Sequence, residues 1–417
     1  MDEISREPER SPEDQIISSF LEERSPTYRD LREISTIVWN DLRASEHFAR
    51  ERASADEAND EDRGGHYNLM RHIGDEMQRE TRALELQRSK NKVLDLCMAP
   101  GGYTASICKY SPQANVSAIT LPEDQGGLRI FVRHGNGTRV EVLEADITMF
   151  AAEFGVTDIP ATHPEASKFS NECPFQEQFD LVFCDGHVAR TQNVPSYREP
   201  TESFRLTCSQ LILAMLRIGQ GGTLIMLLHG ADVYHNLKLL SLFDTISRMH
   251  FFKPAKAHAR KDSFYLVAKD MQPGRRVARA AVAEWKQTWK DATFPAPTDD
   301  GTIVHDEAES LPKQVEREKD SSELIEKFGA RLIELGEPIW EIQRGALKAL
   351  MEKLERESAE SGLEESVETS EEGANPEPTT LNGLTRAPND SSQLEASVAD
   401  TLEESANFEA GATGGQE

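Results

Sequence analysis

The chain has 417 residues, of which 46 are Lys or Arg and 73 Asp or Glu, giving a formal net charge of -27 with 38% hydrophobic residues. That length allows one to three domains and a sizeable core, and the low hydrophobic share implies that part of the chain stays outside it. Five scattered cysteines without CxxC spacing argue against a disulfide framework or a metal site, and no apolar run reaches the length of a membrane span.

The charge is uneven. Residues 357–417 hold fifteen acidic residues against one basic residue, Arg386, whereas residues 88–270 hold nineteen of each sign. The first two dozen residues are polar and acidic, unlike a signal peptide, so a reducing cytoplasmic or nuclear setting is expected.

Residues 14–57 have helical spacing of apolar positions: Ile16, Ile17, Phe20 and Leu21, then Leu31, Ile34, Val38 and Leu42. A charged stretch follows at 51–63. Another helix is expected over 67–86, with Leu69, Ile73 and Met77 on one face. The rhythm changes at Lys92. Residues 93–97 read as a buried strand, 103–110 as a helix after a Pro-Gly-Gly turn, and 115–121 as a second strand. Segments 128–132 and 139–144 flank Gly135-Asn136-Gly137 and predict a hairpin. Strands are expected at 179–184, 223–229 and 263–269, and helices at 202–217 and 233–249. Strands alternating with helices predict a mainly parallel sheet covered on both faces.

Beyond Pro273 the pattern loosens until two amphipathic helices, at 320–335 and 337–354. Their stripe includes Leu324, Phe328, Leu332, Trp340, Leu347 and Met351. Such a stripe packs on its own domain or receives a protein partner. Past Glu357 the Glu/Ser/Thr/Gly-rich sequence predicts a disordered acidic tail. The expected division is therefore a helical extension (1–66), an α/β domain (67–272), a linker with amphipathic helices (273–356) and a tail (357–417).

The chemistry concentrates at strand ends. The run Asp95-Leu-Cys-Met-Ala-Pro-Gly-Gly-Tyr103 places a glycine turn and a helix N-terminus at the carboxyl end of a buried strand. That position suits a ligand with a carboxylate and a ribose, though it also describes an ordinary strand-to-helix connection. Val142-Leu-Glu-Ala-Asp146 and Asp180-Leu-Val-Phe-Cys-Asp185 are further apolar strands ending in carboxylates. A lone strand-end Asp is commonly a turn former; three beside a glycine turn look like one site.

These residues resemble the first motif of the FtsJ-like methyltransferases, and the Asp185 strand, the strand after Gly221-Gly222 and the Lys253 to Val267 region follow in family order. The resemblance implies a Rossmann-like α/β fold with helical flanks that binds S-adenosylmethionine and, in typical members, methylates RNA ribose 2′-hydroxyls. It further implies that Gly101, Gly102 and Tyr103 contact the methionine part of the cofactor. Asp146 would hold the adenine amino group, and Asp185 would lie beside the transferred methyl. The family's ribose-binding acid is missing after the second strand, where Glu123 or Asp124 could substitute. Of the RNA enzymes' Lys-Asp-Lys-Glu set only Asp185 remains; Asn68, Leu227 and Ser263 occupy the other places. A register shift of about two positions would bring His229 to the second Lys, and histidine is a competent base, although His229 also reads as a strand-end packing residue. His187 stands next to the same site.

The basic residues from Lys253 to Arg279 read either as phosphate contacts or as a solvated loop. The expected function is thus an S-adenosylmethionine-dependent methyltransferase acting on RNA or on a small-molecule hydroxyl or carboxyl, with no membrane role. The alternative is a catalytically silent module that binds cofactor or a protein partner.

Overall fold

The structure is a computed structural model and describes residues 10–56, 60–87, 91–135, 138–170, 173–188, 192–294 and 311–371. At its centre is a seven-stranded sheet. The strands are β1 (Lys92–Leu96), β2 (Asn115–Thr120), β3 (Val140–Glu144), β4 (Phe179–Cys184), β5 (Ile218–His229), β6 (Arg248–Phe252) and β7 (Ser263–Lys269). Their order across the sheet is β3-β2-β1-β4-β5-β7-β6. Neighbours from β3 to β5 pair in parallel; β7 runs antiparallel to both β5 and β6. Central strands are apolar on both faces: Val93 to Leu96 and Leu181 to Cys184 are buried without a break, as expected of a sheet sandwiched between helices.

Nine helices are described: α1 (Pro12–Arg24), α2 (Pro26–Asn40), α3 (Leu42–Asp56), α4 (Asp60–Thr81), α5 (Gly102–Tyr110), α6 (Glu202–Arg217), α7 (Tyr234–Ile246), α8 (Arg276–Thr293) and α9 (Leu311–Glu371). Two Ser-Pro pairs start the first two. Ser11 accepts a bond from the Asp14 amide and Ser25 one from the Tyr28 amide, while Pro12 and Pro26 fill a first-turn position that has no use for an N–H.

Four expectations change. No hairpin forms around Gly135: residues 128–132 are irregular, β3 pairs in parallel with β2, and Asn136 and Gly137 lie outside the described residues. The apolar side chains of that segment serve another end, because Ile130 and Val132 pack onto the core beside Tyr103. The helix expected to reach Met249 stops at Ile246. Arg248–Phe252 instead alternates out and in as edge strand β6, with Met249 and Phe251 buried. Helix α8, which the sequence reading passed over, carries Trp285 and Trp289 one turn apart and buries Trp289 against Phe154.

The fourth change is that the two C-terminal helices are one. The buried stripe Phe328, Leu332, Leu335, Ile339, Trp340, Leu347 and Met351 stays in phase through Pro338. It packs on α1 and α2, with Trp340 edge-on to Tyr28 at 4.9 Å. The stripe offered above to a protein partner is therefore an internal interface. Helix α9 also passes Glu357, where composition predicted the end of structure, and runs to Glu371; the rest of the acidic segment lies outside the described residues.

Candidate functional site

Strands β2 and β3 lie to one side of β1 and strands β4 and β5 to the other, so the chain reverses its winding between β1 and β4. Beyond the carboxyl ends of strands at such a reversal a crevice forms. Here it is a cleft lined by Cys97 and Ala99 after β1, Thr120 and Leu121 at the end of β2, and Gly126 to Leu128. Ala145 to Thr148 after β3, Asp185 to His187 after β4, Gln192 and Leu206 continue the wall, and His66 and Met70 of α4 close it. Four neighbouring strands thus deliver their ends to one space, which Asp146 and Asp185 both line, whereas Asp95, expected on the same rim, does not reach it.

The β1 turn is tightly built. Cys97 has a φ of 64° and Gly101 one of 100°, both left-handed, which is natural for glycine and costly for cysteine. The Ala99–Pro100 peptide is cis. Met98 donates its amide to the Ile119 carbonyl at 3.0 Å and Ala99 its amide to Thr120 Oγ1 at 3.3 Å, tying the turn to β2. Beneath it Asp95 is only 2% exposed and accepts a bond from the Thr104 hydroxyl. Burial raises its carboxyl to about 7, with the Thr104 bond pulling the other way. Burial likewise lifts the Cys97 thiol well above its usual range, helped by the nearby Asp146, Asp95 and Asp185, so Cys97 is a wall of the cleft and no thiolate nucleophile.

Gly101, Gly102 and Tyr103 do not line the cleft. A Cβ on Gly101 would lie 2.7 Å from Val132 Cγ1, and one on Gly102 would lie 2.4 Å from Met70 Cβ and 2.6 Å from the Tyr67 carbonyl. The paired glycines admit the 128–132 segment and helix α4 close to the turn. Tyr103 is 2% exposed, stacked on Phe183 at 4.6 Å and joined hydroxyl to hydroxyl with Tyr265. Glu123 and Asp124 are exposed and also outside the lining; Thr120 is the polar residue that β2 contributes.

On the catalytic side, His229 is not among the lining residues. Its Nδ1, at the carboxyl end of β5, sits 3.6 Å from an Asp262 carboxylate oxygen. Leu227 is half-buried against an apolar cluster and Ser263 is 1% exposed, so neither offers a base to the cleft. The histidines that do line it with Asp185 are His187 and His66. The basic segment is mostly spoken for. Lys253 is 3% exposed and donates to the carbonyls of His258, Lys261 and Ser263 at 3.0, 2.5 and 2.7 Å. Arg260 pairs with Glu51 of α3 at 3.1 Å.

Two residues behind the cleft escaped the sequence reading. Gln210 of α6, 1% exposed, clamps Gly186 by accepting its amide and donating to its carbonyl, each at 2.8 Å. This fixes the turn after Asp185, and a lone glutamine within Leu206 to Leu216 was the available signal. Arg198, 5% exposed, donates to Asp146 Oδ2 at 3.2 Å, to Glu165 at 2.9 Å and to both oxygens of Glu202. Burial opposes its charge, but Glu202, Asp146 and Glu165 outweigh burial and hold the guanidinium above its ordinary value. Arg198, Glu202 and Arg205 follow at helical spacing of four and three, a pattern legible in retrospect.

Residues 75–271 match the model of the FtsJ-like methyltransferases. Similar solved structures include a ribosomal RNA methyltransferase of Plasmodium falciparum, 17% identical over 49% of this chain and 96% of that one, with a TM-score of 0.31. Human methyltransferase-like protein 13 in complex with SAH is 14% identical over 58% and 98%, with a TM-score of 0.28. An O-methyltransferase family protein of Burkholderia thailandensis is 14% identical over 63% and 72%, with a TM-score of 0.29. No curated protein sequence matches.

Proposed function

We propose that the FtsJ-like domain is an S-adenosylmethionine-dependent methyltransferase that uses the cleft beyond β1 to β4. The observation that carries this reading is the meeting of Asp146 and Asp185, from two different strands, in one cleft at the sheet's winding reversal. The residues suit the cofactor. Asp146 offers an acceptor for an adenine amino group, Thr120 a hydroxyl for the ribose region, and Asp185 a carboxylate at the mouth of the β1 turn. When bound, the cofactor supplies a methyl already activated by its sulfonium, so the protein must orient an acceptor, exclude water and take a proton.

The proton falls to His187 or His66, because these line the cleft with Asp185 whereas His229 does not. A neutral imidazole serves near pH 7 without the depressed lysine that the family's RNA enzymes use. The acceptor is an oxygen: an RNA ribose hydroxyl, or a more acidic small-molecule phenol or carboxyl that asks less of the base. A silent cofactor-binding module is the second reading, favoured by the apolar packing of Leu227 and the burial of Ser263.

Transfer from isotope-labelled cofactor to total RNA and to a small-molecule extract separates these readings. Label in RNA or in an extracted compound supports the enzyme and identifies the acceptor class. Cofactor binding with no label in either fraction supports the silent module.

A further inference from the structure

We propose that Arg198 is a positioning residue that fixes the carboxylate of Asp146 for recognition of an exocyclic amino group, and thereby selects an adenine-bearing cofactor over its 6-oxo counterpart. The inference rests on reading the cleft as the cofactor site.

The geometry begins at Asp146. Its Oδ1 accepts the Thr148 amide at 2.8 Å and the Thr148 hydroxyl at 2.7 Å, which occupies both lone pairs. Its Oδ2 accepts one bond from Arg198 Nη2 at 3.2 Å. One lone pair of Oδ2 is left for a ligand, and Asp146 lines the cleft. A carboxylate anchored in this way can only accept. A ligand amino group satisfies the open lone pair, whereas a ligand carbonyl at the same place sets oxygen against oxygen with no proton between them.

Arg198 keeps the carboxylate in that pose because it is itself held. Glu165 accepts from its Nη1 at 2.9 Å and Glu202 from its Nε at 3.0 Å. Arg205 completes the set, donating to Glu202 at 2.7 Å and to the Thr293 hydroxyl at 2.9 Å. The planar fork of the guanidinium reaches three carboxylates at once, which the point charge of a lysine cannot. Without Arg198, Oδ2 loses its anchor and Asp146 stands near Glu202, left with Arg205, and Glu165, left with Lys168 and the Tyr197 hydroxyl. The remaining Thr148 bonds hold only one oxygen, so the carboxylate can turn its acceptor away from the cleft.

The test is calorimetric titration of the full chain with S-adenosylhomocysteine and with S-inosylhomocysteine, its 6-oxo analogue. The expected wild-type preference for the adenine ligand is about 100-fold or more, the scale on which polar sites reject a ligand lacking the matching group. In Arg198→Met the preference should fall below about tenfold, mostly through loss of adenine-ligand affinity. Arg198→Lys keeps the charge without the fork and should lower the ratio at least about fivefold. It is the variant to rely on if Arg198→Met fails to give a cooperative melt. Asp146→Asn should abolish the preference. A structural role alone would weaken both ligands equally. An unchanged ratio in the folded Arg198→Lys chain overturns the assignment to Arg198 and leaves the cofactor reading standing. A folded wild-type chain that binds neither ligand overturns both.

Discussion

Asp95 shows how a single residue beneath the β1 turn sets a property of the whole protein. Its carboxyl is raised from the usual value near 4 to about 7 by burial, so between those values the folded state holds a proton that the unfolded chain has released. Stability from this group is fully present below about pH 4 and is lost as pH rises through about 7. Its full size is on the order of 4 kcal/mol. Thermal melts of the ligand-free chain at pH 4 to 8 should show that decline, and Asp95→Asn, which still accepts the Thr104 bond, should flatten it. An equal slope in both proteins would contradict the protonated state. Lys253 makes the opposite kind of point. Its three carbonyl bonds predict that Lys253→Met costs about 2–4 kcal/mol of stability, visible as a lower denaturation midpoint, without changing affinity for phosphate or RNA. Of His187→Ala and His66→Ala, the one that removes the base should lower methyl transfer by about 100-fold or more, against less than about threefold for His229→Ala. Initial rates with the acceptor found above would show which histidine matters. Sequence alone marked Asp146 and Asp185, because a carboxylate closing an apolar strand is a local pattern; Asp95, expected on the same rim, stands inside β1 and is buried there. Arg198, Gln210 and His66 could not be found that way, since their roles arise from contacts far along the chain.

At the scale of elements, the glycine turn is a packing device. Gly102 lets α4 lie against the start of α5 with the Met70 Cβ and the Tyr67 carbonyl where a side chain would otherwise be. Gly74 of α4 does the same about one turn further along α5, where its Cβ would lie 2.6 Å from Ser106 Oγ. Gly102→Ala should therefore cost several kcal/mol, on the order of an overpacked core site, because one obstacle is backbone. It should also loosen the cleft, whose wall includes Met70 and His66 of the same helix. Chemical denaturation measures the first effect, and a Gly102→Ala chain as stable as wild type would contradict the packing account. Strands β1, β2, β4, β5 and β7 were legible because a buried strand is a continuous apolar run, whereas β3, only partly buried, was marked as the flank of an expected turn. Edge strand β6 was not, since its alternation over five residues is too short to stand out after a helix. The hairpin expectation failed for a related reason: an Asn-Gly pair describes a turn but not what its flanks pair with, and β3 found β2.

Across the whole molecule, the N-terminal and C-terminal helices form one layer that is tied to the sheet. Ser25 between α1 and α2 donates to Glu337 of α9 at 2.6 Å. The Tyr28 hydroxyl and Arg10 both donate to Asp232 after β5, at 2.5 and 2.6 Å. Burial and the neighbouring Asp232 raise the Tyr28 phenol well above its usual value, so it stays a donor across the working pH range. A chain whose ends are bound in this way should melt in one cooperative step, and ending it before residue 311 should expose Ile17, Leu21, Tyr28 and Leu31 and lower the melting temperature markedly. The sequence marked the helical segments but not their association, because an amphipathic stripe says that a face is covered without saying by what. The central claim remains that the cleft beyond β1 to β4 holds S-adenosylmethionine through Asp146 and Asp185. Titration calorimetry with S-adenosylhomocysteine on wild type, Asp146→Ala and Asp185→Ala tests it most directly. The account predicts one site in the wild-type chain and affinity weakened at least about tenfold in each folded variant. No binding by the folded wild-type chain, or variants that bind as tightly as it does, would contradict it.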